Sequence, residues 1–162
     1  MKILLKGAII VVALLIQLTL INSITILGLK PDLIMVVVVV FSLLKGEKEG
    51  AISGFASGLL QDIFSTGLLG MNALAKTVIG FFCGIVKEKI FHEHILFLIP
   101  VITFIASLMQ SILILLLLRA FGIEYNLAWS LKQVALPEAL YSSLLSPFVF
   151  LAINKLFQMI KE

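Results

Sequence analysis

The chain has 162 residues, of which 61% are hydrophobic and only 13% charged, and its mean hydropathy is +1.20. Soluble domains hold about 45–50% apolar residues, so this composition excludes an ordinary water-soluble enzyme or binding module and points to an integral membrane protein. The net charge of +3 comes with neither a basic soluble face nor an aromatic stacking platform, which leaves no case for a nucleic-acid partner.

The apolar excess runs along the whole chain, so residues 1–162 read as a single transmembrane domain in the lipid bilayer. A hydrocarbon core about 30 Å thick takes about 20 helical residues. Apolar runs between charged clusters predict an all-α, polytopic bundle of six transmembrane helices, near residues 6–28, 31–44, 48–64, 68–86, 95–118 and 138–158. The opening MKILLKG has the charge pattern of a secretory signal. Asn22, Ser23 and Thr25 offer no small-residue cleavage site, however, and the apolar run is too long, so it is read as a retained first span.

The second span starts at Pro31 and Asp32, where proline suits the first helical turn and an acid suits the helix dipole. The second and third spans are short, and Lys45-Gly46-Glu47-Lys48-Glu49 between them is too polar to lie in lipid. That makes them two spans, with a four-span chain containing a re-entrant pair as the alternative.

In the third span glycine recurs every fourth residue, at Gly46, Gly50, Gly54 and Gly58, with Ser53 and Ser57 beside it. Small residues at this spacing let another helix approach closely. The next rung is Asp62. The fourth span carries Asn72, Lys76, Gly80 and Gly84 at the same spacing, so across the short 65–67 turn the glycine halves should meet at one end and the polar halves at the other. Asp62 is therefore expected either to pair with Lys76, helped by Asn72, or to face water while Lys76 reaches for the surface alone.

Farther along, Gln17 in the first span and Thr103, Ser107, Gln110 and Ser111 in the fifth read as interhelical glue or as the lining of a ligand cavity. Residues 126–135 have Leu127, Leu131 and Val134 at helical spacing with Trp129 nearby, which predicts a short interfacial helix. Pro137 and Glu138 should open the sixth span and Pro147 should kink it.

Charge sets the direction. With the N-terminus in the cytoplasm, eight of the twelve Lys and Arg residues (Lys2, Lys6, Lys45, Lys48, Lys87, Lys89, Lys155, Lys161) fall inside, and Lys30, Arg119 and Lys132 fall outside. That is the positive-inside pattern, and an even span count returns the C-terminus to the cytoplasm. No catalytic constellation appears, no cofactor is implied, and His92-Glu93-His94 lacks the second cluster a metal site needs. The lone Cys83 reads as a small apolar filler and excludes a disulfide within the chain.

The strings PDLIMVVVVVFSLLKG (31–46) and GAISGFASGLLQDIFSTGLLGMNAL (50–74), followed by the aromatic-glycine stretch at Gly80 and Phe81, resemble the rod shape-determining MreD family. Pro31, Asp32, Gly54, Gly58, Asp62, Gly70 and Asn72 match the family pattern, and Lys76 stands outside it. The resemblance implies a non-catalytic, multi-pass component of the bacterial cytoplasmic membrane, part of the elongation machinery that builds the side wall. Its implied partner is the single-span protein MreC, which links peptidoglycan synthases to the MreB filament. The family is also similar to the six-helix substrate-binding subunits of energy-coupling-factor transporters. A vitamin-binding transport subunit is therefore the rival reading. The residues expected to serve helix packing or partner contact are Pro31, Asp32, Gly50, Gly54, Gly58, Asp62, Gly70, Asn72, Lys76, Gly80 and Gly84.

Overall fold

The computed structural model describes residues 2–19, 30–65, 67–87, 95–124 and 126–159. Among them are six helices: α1 (Lys2–Thr19), α2 (Leu33–Lys45), α3 (Glu47–Phe64), α4 (Met71–Val86), α5 (Ile95–Ala120) and α6 (Leu127–Met159). At 1.5 Å per residue, α5 and α6 are about 39 and 50 Å long, enough to cross a hydrocarbon core. The 13 residues of α2 reach only about 20 Å.

Polar side chains are buried among the apolar residues of the core, and many large apolar side chains face outward. Phe97, Phe148 and Leu144 are 82%, 73% and 70% exposed, whereas Ser42, Ser57, Lys76, Thr103, Ser142 and Ser146 are buried. An apolar surface of this extent suits lipid, not water.

The centre is α2, whose ten consecutive residues from Ile34 to Leu43 are all buried. A run of five valines is a poor helix former in isolation, but a helix that is apolar all round is stable when neighbours enclose it. Helices α3, α4, α5, α6 and α1 all pack on it. Along one side an apolar groove of about 380 Å³ runs between α1 (Val12, Ile16) and α6 (Val149, Leu156), floored by Leu33 and Val37 of α2.

One residue, Gly46, joins α2 to α3 with φ 96° and ψ −174°, a conformation essentially restricted to glycine. It lets the chain reverse without a loop. The buried residues of α3 are all small or polar: Gly50, Ser53, Gly54, Ser57, Gly58 and Asp62. They form a flat strip on which α4 lies in antiparallel register. Gly84 rests on Gly46 and Glu47, Gly50 on Gly80, Gly54 on the Lys76 carbonyl, and Gly58 on Asn72 and Ala73. A Cβ at Gly50, Gly54, Gly58, Gly80 or Gly84 would collide with the opposite backbone, so α3 and α4 approach as closely as backbones allow.

Helix α5 ends in a Schellman motif: Gly122, at φ 77°, occupies the left-handed position, while Gly122 N–H and Ile123 N–H donate to the Arg119 and Leu118 carbonyls at 3.0 and 3.1 Å. The segment read from sequence as a separate interfacial helix, residues 126–135, is instead the first part of α6. Asn126 caps it by accepting from Trp129 N–H at 3.0 Å. A π-helical turn at Leu131–Ala135 then carries it into the rest of the helix. Pro137 and Glu138 therefore lie in the first turn of the α-helical stretch Leu136–Met159, which continues a helix already begun at Leu127. Pro137 cannot donate to the carbonyl four residues back, and the wider turn just before it redistributes those bonds, with Leu136 N–H reaching Leu131 O. At Pro147 the Ser143 carbonyl loses its backbone donor and accepts from the Ser146 hydroxyl at 2.6 Å.

At the opposite end from Asp32, Lys6 on α1 pairs with Glu49 on α3 at 2.6 Å. Lys45 places its ammonium 4.7 Å from the centre of the Phe157 ring.

Candidate functional site

Three polar side chains from three helices meet at the start of α2. Asp32 caps that helix by accepting from Met35 N–H at 2.9 Å. Lys76, on α4, forms an ion pair with Asp32. Gln110, on α5, closes a ring: its carbonyl oxygen accepts from Lys76 Nζ at 2.8 Å and its amide donates to Asp32 Oδ2 at 2.9 Å. Lys76 is fully buried and Asp32 is 3% exposed. Two further bonds bring in the remaining helices at this level. Asp32 N–H donates to Ser142 Oγ on α6 at 3.0 Å, and Ile34 N–H donates to Gln17 Oε1 on α1 at 3.1 Å.

The placement follows from helix geometry. Helices α2 and α4 run in the same direction, with Val38 beside Gly80 and Gly46 beside Lys87, so Asp32 and the first turns of α4 lie at one level. Lysine side chains lean toward the N-terminus of their helix, which carries the Lys76 ammonium up to Asp32. The four-carbon stem lies in the apolar interior and the charge is satisfied by one carboxylate and one amide oxygen. A buried charge needs that much.

Neither arrangement expected for Asp62 occurs. Asp62 is 3% exposed, so it does not face water, and its partner is not Lys76. It accepts from Gly70 N–H (2.9 Å), Asn72 N–H (3.2 Å), Ala73 N–H (3.1 Å) and the Asn72 side-chain amide (2.8 Å). The carboxylate thus caps α4 from the end of α3, satisfying donors that no residue within α4 can reach. Lys76 does not reach for the surface either, because Asp32 holds it.

Of the residues singled out in the sequence, Pro31 and Asp32 lie buried at the start of α2, and Gly50, Gly54, Gly58, Gly80 and Gly84 lie at the α3–α4 contact. Gly70, Asn72 and Asp62 form the α4 cap, and Lys76 joins the ring. Gln17 and Gln110 make interhelical hydrogen bonds. Thr103 and Ser107 are buried with hydroxyls that have no partner among the described residues, and the Ser111 hydroxyl bonds within its own helix to Ser107 O at 3.1 Å. Cys83 is buried. His92, Glu93 and His94 lie outside the described residues, and no cluster of three or more metal-ligating side chains occurs within them.

Above the ring is a cavity of about 260 Å³, in which Asp32, Gln61, Asn72, Gln110, Ser111 and Glu138 line the wall. Sequence reasoning missed the ring, and of the cavity it offered only Gln110 and Ser111, as glue or as lining. Asp32 was read as a helix starter and as a packing or partner-contact residue, Glu138 as part of the start of the sixth span, and Gln61 and Ser130, which also line the cavity, carry no spacing that marks them. The available signal was that α2 and α4, separated by one antiparallel helix, must run parallel and so bring Asp32 and Lys76 to the same depth.

Chemically, the ring holds its charges fixed. The Lys76 ammonium and the Asp32 carboxylate are each engaged by the other and by Gln110, so the ring ties helices together. No curated protein and no solved structure matches the chain. A family model for the rod shape-determining protein MreD matches residues 1–160. With nearly the whole length matched, and an apolar-surfaced helical fold with two helices long enough to cross a bilayer, the chain belongs to the MreD family of rod-shape-determining membrane proteins.

Proposed function

We propose that this protein is a non-catalytic, six-span scaffold of the cell-elongation machinery, with both termini in the cytoplasm, that binds the single-span protein MreC and so connects it to the MreB filament and the peptidoglycan synthases. The observation that carries this reading is the family match over residues 1–160. The internal use of charge supports it: Asp32, Lys76 and Asp62 are all engaged in tying helices together, as expected of a rigid platform. The lysine distribution supports the orientation, with Lys6, Lys45, Lys48, Lys87 and Lys155 at one end of the bundle.

The test is co-purification of the full chain with an MreC-like membrane protein from the same cells, combined with photo-crosslinkers at apolar positions around the bundle. A stoichiometric complex, with crosslinks confined to one face, is expected. A chain that purifies alone, crosslinks to no single-span partner and carries a tightly held vitamin-like molecule would instead establish the transport reading.

A further inference from the structure

We propose that the cavity above the Asp32–Lys76–Gln110 ring is a binding site for a primary ammonium group, carried by a small free amine or by a lipid headgroup. Its volume, about 260 Å³, lies below the range of pockets that hold drug-sized ligands, so it admits a molecule of few atoms or the head of a larger one.

The hydrogen-bond inventory of the wall selects the chemistry. The donors of three residues at or beside the cavity are already engaged: the Asn72 amide with Asp62, the Gln110 amide with Asp32, and the Lys76 ammonium with Asp32 and Gln110. Two acceptors are not. Gln61 Oε1 is buried without a partner, and Glu138, half-buried in the wall, has no donor among the described residues. The hydroxyls of Ser111 and Ser130 add further acceptor capacity. A buried acceptor without a donor is unfavourable, and so is a second carboxylate near Asp32.

A ligand that offsets both must bring donors and positive charge. An ammonium has three donors and no acceptor. An anion would meet the carboxylates of Glu138 and Asp32, and the ammonium beside the wall, Lys76, is already held by Asp32 and Gln110. A hard divalent metal favours carboxylate ligands, and of the two carboxylates in the wall Asp32 is already paired with Lys76, which leaves Glu138 alone. The site is independent of partner binding, so either reading can fail without the other.

The test uses the purified full chain in a maltoside detergent, with thermal unfolding followed as ethanolammonium chloride is added, and with tetramethylammonium chloride and sodium chloride at equal ionic strength as controls. Ethanolammonium alone should raise the melting temperature saturably. Glu138→Gln should weaken that response about tenfold, and Ser111→Leu, which fills the cavity without touching the carboxylate, should abolish it.

A second arm distinguishes the source. The protein is taken from nanodiscs of phosphatidylethanolamine mixed with phosphatidylglycerol, and the lipids it retains are identified by native mass spectrometry. Phosphatidylethanolamine retained by the unsubstituted chain and lost from Glu138→Gln assigns a lipid headgroup, and a response to the free amine alone assigns a soluble ligand. Equal responses to tetramethylammonium or sodium, responses undiminished in both variants, or no response in either arm would overturn the proposal.

Discussion

At the scale of single residues, Lys76 is the most consequential side chain in the fold. It is fully buried, and its removal leaves the Asp32 carboxylate enclosed without a countercharge. Breaking a buried pair by deleting one partner costs about 3–5 kcal/mol, while replacing both partners with neutral groups is far milder. Lys76→Met should therefore lower the unfolding free energy of the purified protein by roughly that amount, and Lys76→Met with Asp32→Asn should recover most of it, since Asn still caps α2. Adding Asp62→Asn to Lys76→Met should recover nothing, because Asp62 belongs to a separate set of hydrogen bonds. Thermal melts of the four proteins check this, and a rescue by Asp62→Asn would contradict the observed pairing. A charge exchange between Asp32 and Lys76 should also fail, because a lysine at 32 cannot accept from Met35 N–H.

At the scale of elements, the α3–α4 hairpin is held by the absence of side chains. Gly54→Ala places a methyl group against the Lys76 carbonyl, and backbone cannot yield as a side-chain end can. The substitution should cost about 1–3 kcal/mol. Gly7→Ala on α1, where a Cβ meets nothing within 4 Å, should instead stabilise by about 0.5–1 kcal/mol through helix propensity. Denaturation of the two variants in parallel separates contact from propensity.

This hairpin was the most legible part of the sequence, because a four-residue repeat of small residues has one physical use in a membrane helix. The ring was not legible. Its members are 34, 44 and 78 residues apart, and periodicity within one helix says nothing about which of several polar groups at the same depth will meet. That residues 127–135 run straight into the last helix was not legible for a related reason: Pro137 looks like a helix beginning, and only the π-helical turn before it allows the helix to continue past it.

At the scale of the whole molecule, the proposed path of the chain fixes which ends share a side of the membrane. In a Cys83→Ser background, single cysteines at Lys30, Ser65 and Glu124 should react in intact cells with a thiol reagent that cannot cross the membrane. Cysteines at Lys48 and Lys87 should react only after the cells are opened. Labelling of Lys48 from outside, or protection of Ser65, would refute the six-span path.

Synthesis proceeds in one direction, and the hub at Asp32 closes in the order its partners emerge. Gln17 is already made, Lys76 follows 44 residues after Asp32, Gln110 after 78, and Ser142 after 110. A nascent chain halted after α3 therefore holds an unneutralised carboxylate on its most apolar helix. In the finished fold that carboxylate is neutralised by the cation α4 delivers. The full set of contacts at Asp32 therefore cannot exist until the final helix has been made.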